Sequence, residues 1–465
     1  MISLRGVQYL VLVALWLASL ALPRRPTQAE PAIPRGVAPL GPVFALSALL
    51  AAAAAVQSHV IALAAQQQIP LPAWRAALPL VPIDDSAPLF GHTAAWIGES
   101  SAALALLQST LLAALYAIAR GRAFSRAGWL CIAVAGALMA SAALLCSGLT
   151  SSDVYLYAGH GRLGLGAYAP PAVRFPGEFG AINDLRGVPI YPSLYGPLWL
   201  AVASGVSFAL HSLTAQLFAF RLLGLALLGA CLFFLRRMQL SPALLALFAL
   251  NPTFYGQFVA DAHNDVLPLA LTLAALWLAA QRPWLGLLLV VAAGATKLPF
   301  AIAGLVAFRT VASRRRRIAL AATSVLGALA ATFVASGGMY FSTSARMSAR
   351  ITRDAFVVVT HDLAIALGLA AALLALVAGR YLAGASWSFV SLSTTLFPWY
   401  VAWSVPYALA EETWLPVFLC ALPVATFLLT SVYALTPLTL VLYLLALAAP
   451  LVLVLRARRS ATPWP

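Results

Sequence analysis

The chain turns on residues 149–199. They open LTSSDVYLYAGHGRLGLGAYAPP (149–171), pass through a polar, Pro- and Gly-rich segment, and close VPIYPSLYGPLW (188–199). On both sides the sequence is almost continuous hydrocarbon. Inside the stretch stand Asp153, His160, Arg162, Arg174, Glu178, Asp184 and Arg186, among several tyrosines. A carboxylate set where an apolar helix leaves a bilayer is costly, and for that reason marks function. The competing reading is a solvated loop whose Ser-Ser-Asp merely caps a helix.

Composition frames that choice. Of 465 residues 63% are hydrophobic and only 9% charged, with a mean hydropathy of +0.93. A soluble domain cannot bury so much apolar surface, whereas a polytopic membrane protein requires it. The formal charge of +15 does not point to nucleic acid, because the basic residues sit in short clusters between apolar runs. Such clusters report orientation through the excess of Lys and Arg on the cytoplasmic side. Cys131, Cys146, Cys231 and Cys420 all lie inside apolar runs without paired spacing, which indicates neither a disulfide framework nor a metal site.

Charge then threads the chain. Residues 7–22 are apolar and short enough for a signal sequence, but no small-residue cleavage site precedes the next span, and they read as a first helix. Spans follow at 43–65, 94–119 and 127–149, with Arg120, Arg122 and Arg126 marking a cytoplasmic turn. The third span therefore delivers Asp153 to the extracytoplasmic surface. Residues 195–213 read as an interfacial helix, since a full crossing there would put Arg236 and Arg237 outside. Further spans are expected at 215–235, 242–260 and 266–281. A pair of short helices, 284–296 and 299–312, should turn at Lys297-Leu298-Pro299. Spans at 318–336, 362–379 and 384–397 follow, and a last set ends at Arg456, Arg458 and Arg459. The expected fold is all-α, with about 13 or 14 transmembrane helices by a twenty-residue window. Its parts are N-terminal helices (1–126), a core (127–410) holding an extracytoplasmic loop with interfacial helices (150–214), and C-terminal helices with a short basic tail (411–465).

With this threading the unusual polar groups share the extracytoplasmic face, where chance would have put roughly half on each side. They are Asp153 and His160; Asp261, His263 and Asp265; Lys297; Arg346, Arg350 and Arg353; and Trp399 with Tyr400. Carboxylates beside cations at a membrane surface suit a reaction between a hydroxyl and a phosphate-linked lipid. The carboxylate takes the hydroxyl proton and the cations stabilise the departing phosphate. Each residue also has a bland reading. Tyr155 and Tyr157 suit an interfacial belt, His263 and Asp265 a helix cap at Val266, and Lys297 a snorkelling helix end. The three arginines share helical spacing and suit a solvated face, and Trp399 with Tyr400 suits belt anchors. Asp261, His263 and Asp265 offer oxygen and imidazole donors of the kind divalent cations take, so a divalent cation stays open as a cofactor, but their spacing is diagnostic of no particular metal and none is indicated.

The motifs SDVYLYAGHGRLGLGAYAPP, YPSLYGPLW, NPTFYGQFVADAHND, ATKLP and FPWYVAWSVPYAL, in this order, resemble the GT-C superfamily of membrane glycosyltransferases. Their wording is similar to that of polyprenol-phosphate-mannose-dependent α-mannosyltransferases, over roughly residues 127–410. The resemblance implies an inverting transfer of a hexose, mannose, from a polyprenyl-phosphate carrier to a glycan, lipid-linked or protein acceptor. The reaction would take place at the extracytoplasmic face of the inner membrane. It implies Asp153 as catalytic base; the substrate contacts expected around it are Tyr157, His160, Tyr195, Asp261, His263, Asp265, Lys297, Arg346, Arg350, Arg353, Trp399 and Tyr400. The chain departs from the family pattern at Ala167-Tyr168-Ala169-Pro170, where relatives carry Asn-Pro-Tyr, and at Ala260-Asp261-Ala262, where they carry a glycine-rich run. The alternative function is a transporter or flippase of cell-envelope precursors. That would need ionisable groups near mid-membrane in matching halves, which the sequence does not display.

Overall fold

The computed structural model describes residues 36–68, 94–145, 151–343, 370–372, 374–375, 378–385, 400, 403–411, 414–429 and 437–459. Among these residues the chain is helical, with no strand beyond one isolated bridge between Val37 and Ala123. The helices are α1 (Leu40–Gln68), α2 (Ala94–Ala119), α3 (Arg126–Leu145), α4 (Asp153–Leu163), α5 (Gly180–Arg186), α6 (Pro197–Ala209), α7 (Leu213–Arg237), α8 (Pro242–Ala249), α9 (Val266–Leu278), α10 (Pro283–Thr296), α11 (Arg314–Ser336), α12 (Val405–Ala410), α13 (Leu415–Leu429) and α14 (Pro437–Arg459). This is the all-α membrane class that composition demands.

Five of the described helices are long and apolar enough to cross a bilayer. They lie in α1, α2, α3, α7 and α11, and a bent pair over 242–260 makes a sixth. The expected spans at 7–22, 362–379 and 384–397 fall wholly or largely outside the described residues. The expected span at 266–281 is a helix of only 13 residues, and the expected short helix at 284–296 has 14. Helix α6 has 13 residues, about 20 Å against a hydrocarbon core of about 30 Å, so it is too short to cross. The 242–260 segment is not the single straight helix expected. It bends by 41°, because Pro252 has no N–H to donate and pushes Asn251 into extended backbone, ψ 111°. The Asn251 side chain restarts the chain by accepting from the Thr253 amide at 3.2 Å. A π-helical turn follows at Tyr255–Ala260. The expected turn at Lys297 is present, but its second arm is a 3₁₀ turn, Leu298–Ala303, running into a four-residue helix.

Two compact units emerge. One takes its described residues from 25–150, 235–261 and 412–465. In it, Ala53, Val60, Ala102, Leu104, Val424, Tyr443 and Ala446 pack α1, α2, α13 and α14 around a common core. The Ala38 amide donates to the Ala123 carbonyl at 2.8 Å, tying the start of α1 to the arginine-bearing turn before α3.

The other unit takes its described residues from 151–234 and 262–411. Its α9, α10 and α11 share a core of Ala275, Val290, Phe308 and Ala321. Two glycines let the remaining elements close on them. At Gly161 on α4 a Cβ would strike the Ala203 carbonyl and the Ser207 hydroxyl of α6, so only glycine lets these helices lie in contact. At Gly196 a Cβ would fall on the Ala295 carbonyl oxygen, and the Gly196 amide donates to the Thr296 carbonyl at 2.9 Å. The start of α6 is thereby pinned to the backbone immediately before Lys297. Gly161→Ala and Gly196→Ala are expected to destabilise the protein by roughly 1–3 kcal/mol or more, as overpacking does. Gly166→Ala, which meets nothing within 4 Å, should be close to neutral. Unfolding midpoints in detergent check this, and equal midpoints for all three variants would refute the close-approach account.

Candidate active site

Asp153 is the first residue of α4, where the positive end of the helix favours a carboxylate. It does not cap the helix. Its Oδ1 instead accepts from the Arg186 guanidinium at 2.8 Å. Arg186 is delivered by α5, which Asn183 holds in place from its own middle. The Asn183 Oδ1 accepts from the Phe175 amide at 2.6 Å, and its Nδ2 donates to the Gly187 carbonyl at 3.2 Å. The His263 ring lies 3.8 Å from Asp153 Oδ2 and is wholly buried. Burial holds His263 neutral, its pKa depressed to about 3. Burial raises the Asp153 carboxyl, but the charge and hydrogen bond of Arg186 and the charge of Lys297 oppose it and hold the group below its ordinary value.

Asp265 stands at the N-terminal boundary of α9, where the sequence suggests a cap, yet its side chain makes no capping bond. Oδ1 accepts from the Lys297 ammonium at 2.7 Å and from the Trp403 indole. Lys297 in turn lies over the rings of Tyr400 and Trp403, 4.6 and 4.7 Å from their centroids. Burial pushes the Asp265 carboxyl up, against the pull of Lys297 and of the two donors. The two carboxylates differ in access: Asp153 is 18% exposed, Asp265 only 1%. Arg186 and Lys297 also reach the surface, at 19% and 11%.

Around this centre the other expected contacts take separate places. Tyr157 is buried; its hydroxyl accepts from the Asn264 amide at 3.2 Å, and its ring packs edge-on to Tyr195, Trp199 and Phe220. His160 donates through Nε2 to the Tyr191 carbonyl at 2.8 Å, which fixes the loop, and burial lowers its pKa to about 4. The Tyr195 carbonyl accepts from the Tyr168 hydroxyl. Asp261 belongs to the other unit. There it lines a small pocket with Gln57, Ser58, Met139 and Tyr255, with room for about one water. Arg346, Arg350, Arg353 and Trp399 lie outside the described residues. Among the described residues no cluster of His, Cys, Asp and Glu could hold a metal ion. Sequence reasoning missed Arg186 and Trp403. Only the spacing of Trp403, three residues after Tyr400, could have flagged it, since that places both on one helical face.

The pairing of buried Asp265 with Lys297 generates a direct expectation. Lys297→Met leaves an uncompensated buried carboxylate, which typically costs about 3–5 kcal/mol. Adding Asp265→Asn removes that charge while keeping an oxygen for the Trp403 indole, and should restore most of the loss. A double variant no more stable than Lys297→Met, by unfolding midpoint in detergent, would rule out the pair as the cause.

The family model described as alpha-(1->6)-mannopyranosyltransferase, N-terminal domain, matches residues 76–313, more than half of the chain. No curated protein and no solved structure matches it. The matched segment holds Asp153, Arg186, His263, Asp265 and Lys297, while Tyr400 and Trp403 lie beyond it. The chain thus belongs to the alpha-(1->6)-mannopyranosyltransferase family of GT-C-type membrane enzymes, and is a mannosyltransferase.

Proposed function

We propose that the enzyme transfers mannose from a polyprenyl-phosphate carrier to an acceptor hydroxyl, with Asp153 as general base. One observation carries the assignment: of the two carboxylates in the cluster, Asp153 alone is both reachable and held ionised by its neighbours. Asp153 takes the acceptor proton as the oxygen attacks the anomeric carbon. The bond from that carbon to the phosphate oxygen breaks, and its electron pair leaves with the phosphate. A single displacement inverts the anomeric centre, so an α product calls for a β-linked donor. The linkage in the family's description supports a primary 6-hydroxyl as the acceptor oxygen. Lys297 and Arg186, whose side chains reach the surface, are the described cations suited to the leaving phosphate. Arg346, Arg350 and Arg353 remain candidates for the same task.

Orientation is part of this reading. Helix α11 begins with Arg314–Arg317 and runs 23 residues, about 34 Å. Just past its far end, Thr343 donates to the Tyr168 carbonyl and Tyr340 packs on Tyr168, at the close of the loop that starts with α4. With the four arginines cytoplasmic, that loop is extracytoplasmic, where polyprenyl-linked sugars are presented. The inner membrane of the cell is the compartment this implies. Family membership sets aside the transporter reading.

Purified enzyme should move labelled mannose from polyprenyl-phosphate mannose to a mannose-terminated acceptor. Asp153→Asn should fold normally and lower turnover by about a hundredfold or more. Near-normal turnover at matched protein level would sink Asp153 as base. The pH profile tests the electrostatics. With Asp153 held low, kcat/KM should stay on its plateau well into the acid range. In Arg186→Gln the strongest downward neighbour is gone and burial dominates, so the acid limb should move up by ~1 unit or more. An unmoved limb would mean that Asp153 is not the group titrating.

A further inference from the structure

The segment that carries Tyr400 and Trp403 contributes more than packing. Asp265 Oδ1 is shared by two donors, the Lys297 ammonium and the Trp403 indole N–H. The same indole face and the Tyr400 ring lie against the ammonium, and the two rings are themselves in contact, centroids 4.3 Å apart. Phe300, three residues beyond Lys297, also packs on Trp403, centroids 5.4 Å apart. The carboxylate is sealed, whereas the Lys297 side chain is 11% exposed.

These contacts have an electrostatic consequence. An ammonium bound to one carboxylate oxygen is largely neutralised and offers little to an incoming anion. A second donor on that same oxygen draws off part of its charge, so the carboxylate holds the ammonium less completely. The ring faces stabilise the cation without neutralising it. An ammonium also has three N–H donors, and Asp265 engages one of them.

We infer that Trp403 is a positioning residue, which acts through Asp265 and, with Tyr400, holds the Lys297 ammonium in place and available to an anionic group of the donor. This rests on the phosphate-linked donor proposed above. Trp403 itself need touch no substrate.

The test separates the indole N–H from the ring. Trp403→Phe keeps a smaller aromatic ring beside Lys297 and removes the donor. The apparent KM for polyprenyl-phosphate mannose should rise about tenfold, the scale of a lost hydrogen bond to a charged group. The acceptor KM should stay within twofold, with both constants measured well below the variant's own unfolding midpoint. Tyr400→Leu removes the second ring and should also raise the donor KM selectively. A non-kinetic readout is the stabilisation of the protein by polyprenyl phosphate alone, which Trp403→Phe should weaken in step. Wild-type donor kinetics in Trp403→Phe, or equal losses for donor and acceptor, would overturn the inference. If Trp403→Phe does not fold, Tyr400→Leu decides by the same two outcomes. Failure of the donor reading would show in the wild-type protein, which would neither use the phosphate-linked donor nor be stabilised by its product.

Discussion

A carboxylate 1% exposed cannot stay ionised in an apolar surround without a partner, and the partner of Asp265 is Lys297. That requirement couples three separate stretches of chain: the boundary before α9, the break after α10, and the segment leading into α12. None of them is long enough to be fixed by its own packing against lipid. Helices α9 and α10 are 13 and 14 residues, and α12 has six. The ion pair, with the indole on the same oxygen, gives these short elements one allowed arrangement. A neutral apolar contact there would tolerate sliding; a charge that must meet its counter-charge does not.

The second carboxylate is fixed from the opposite direction. Asp153 depends on Arg186, Arg186 on the Asn183-braced turn of α5, and α4 on the absence of a side chain at Gly161. Gly196 links the two halves of the centre within this unit, since its amide bonds the carbonyl next to Lys297. Close backbone approach and paired charge thus do the same work at different ranges. The glycines set the separation of elements, and the ion pairs set their register.

How much of this was legible in the sequence follows from which interactions are local. Spans α2, α3, α7 and α11 were read within a few residues, because hydropathy and arginine clusters are properties of the chain itself. The turn at Lys297 was visible for the same reason. Asp153 stood out as a carboxylate at the end of an apolar run. Arg186 did not, because nothing local separates it from Arg174 or Arg162. Arg174 pairs with Asp184 at the surface and Arg162 lies over Phe179, so three similar arginines have three different partners. Asp265 invited a capping role that the fold does not use, since its charge is needed by Lys297. The bend at Asn251-Pro252 was written in the sequence and overlooked, because the flanking hydrophobicity reads as one span.

The charges on the described side chains also bear on why such a centre suits the proposed reaction. Two carboxylates face two cations, and His263 is neutral, so the resting centre is close to balanced. In the transfer, Asp153 gains a proton and loses its charge while the leaving phosphate gains one. Negative charge therefore moves across the site and its total is unchanged. Arg186, bonded to Asp153 at rest, loses its counter-charge at the moment the phosphate acquires more. A cation released in step with the charge it must meet stabilises the late stages of reaction more than the ground state, which is the condition for lowering a barrier. Asp265 takes no part in that movement, since it is sealed from the hydroxyl. Its constancy is what leaves Lys297 a fixed reference while the charge around Asp153 changes.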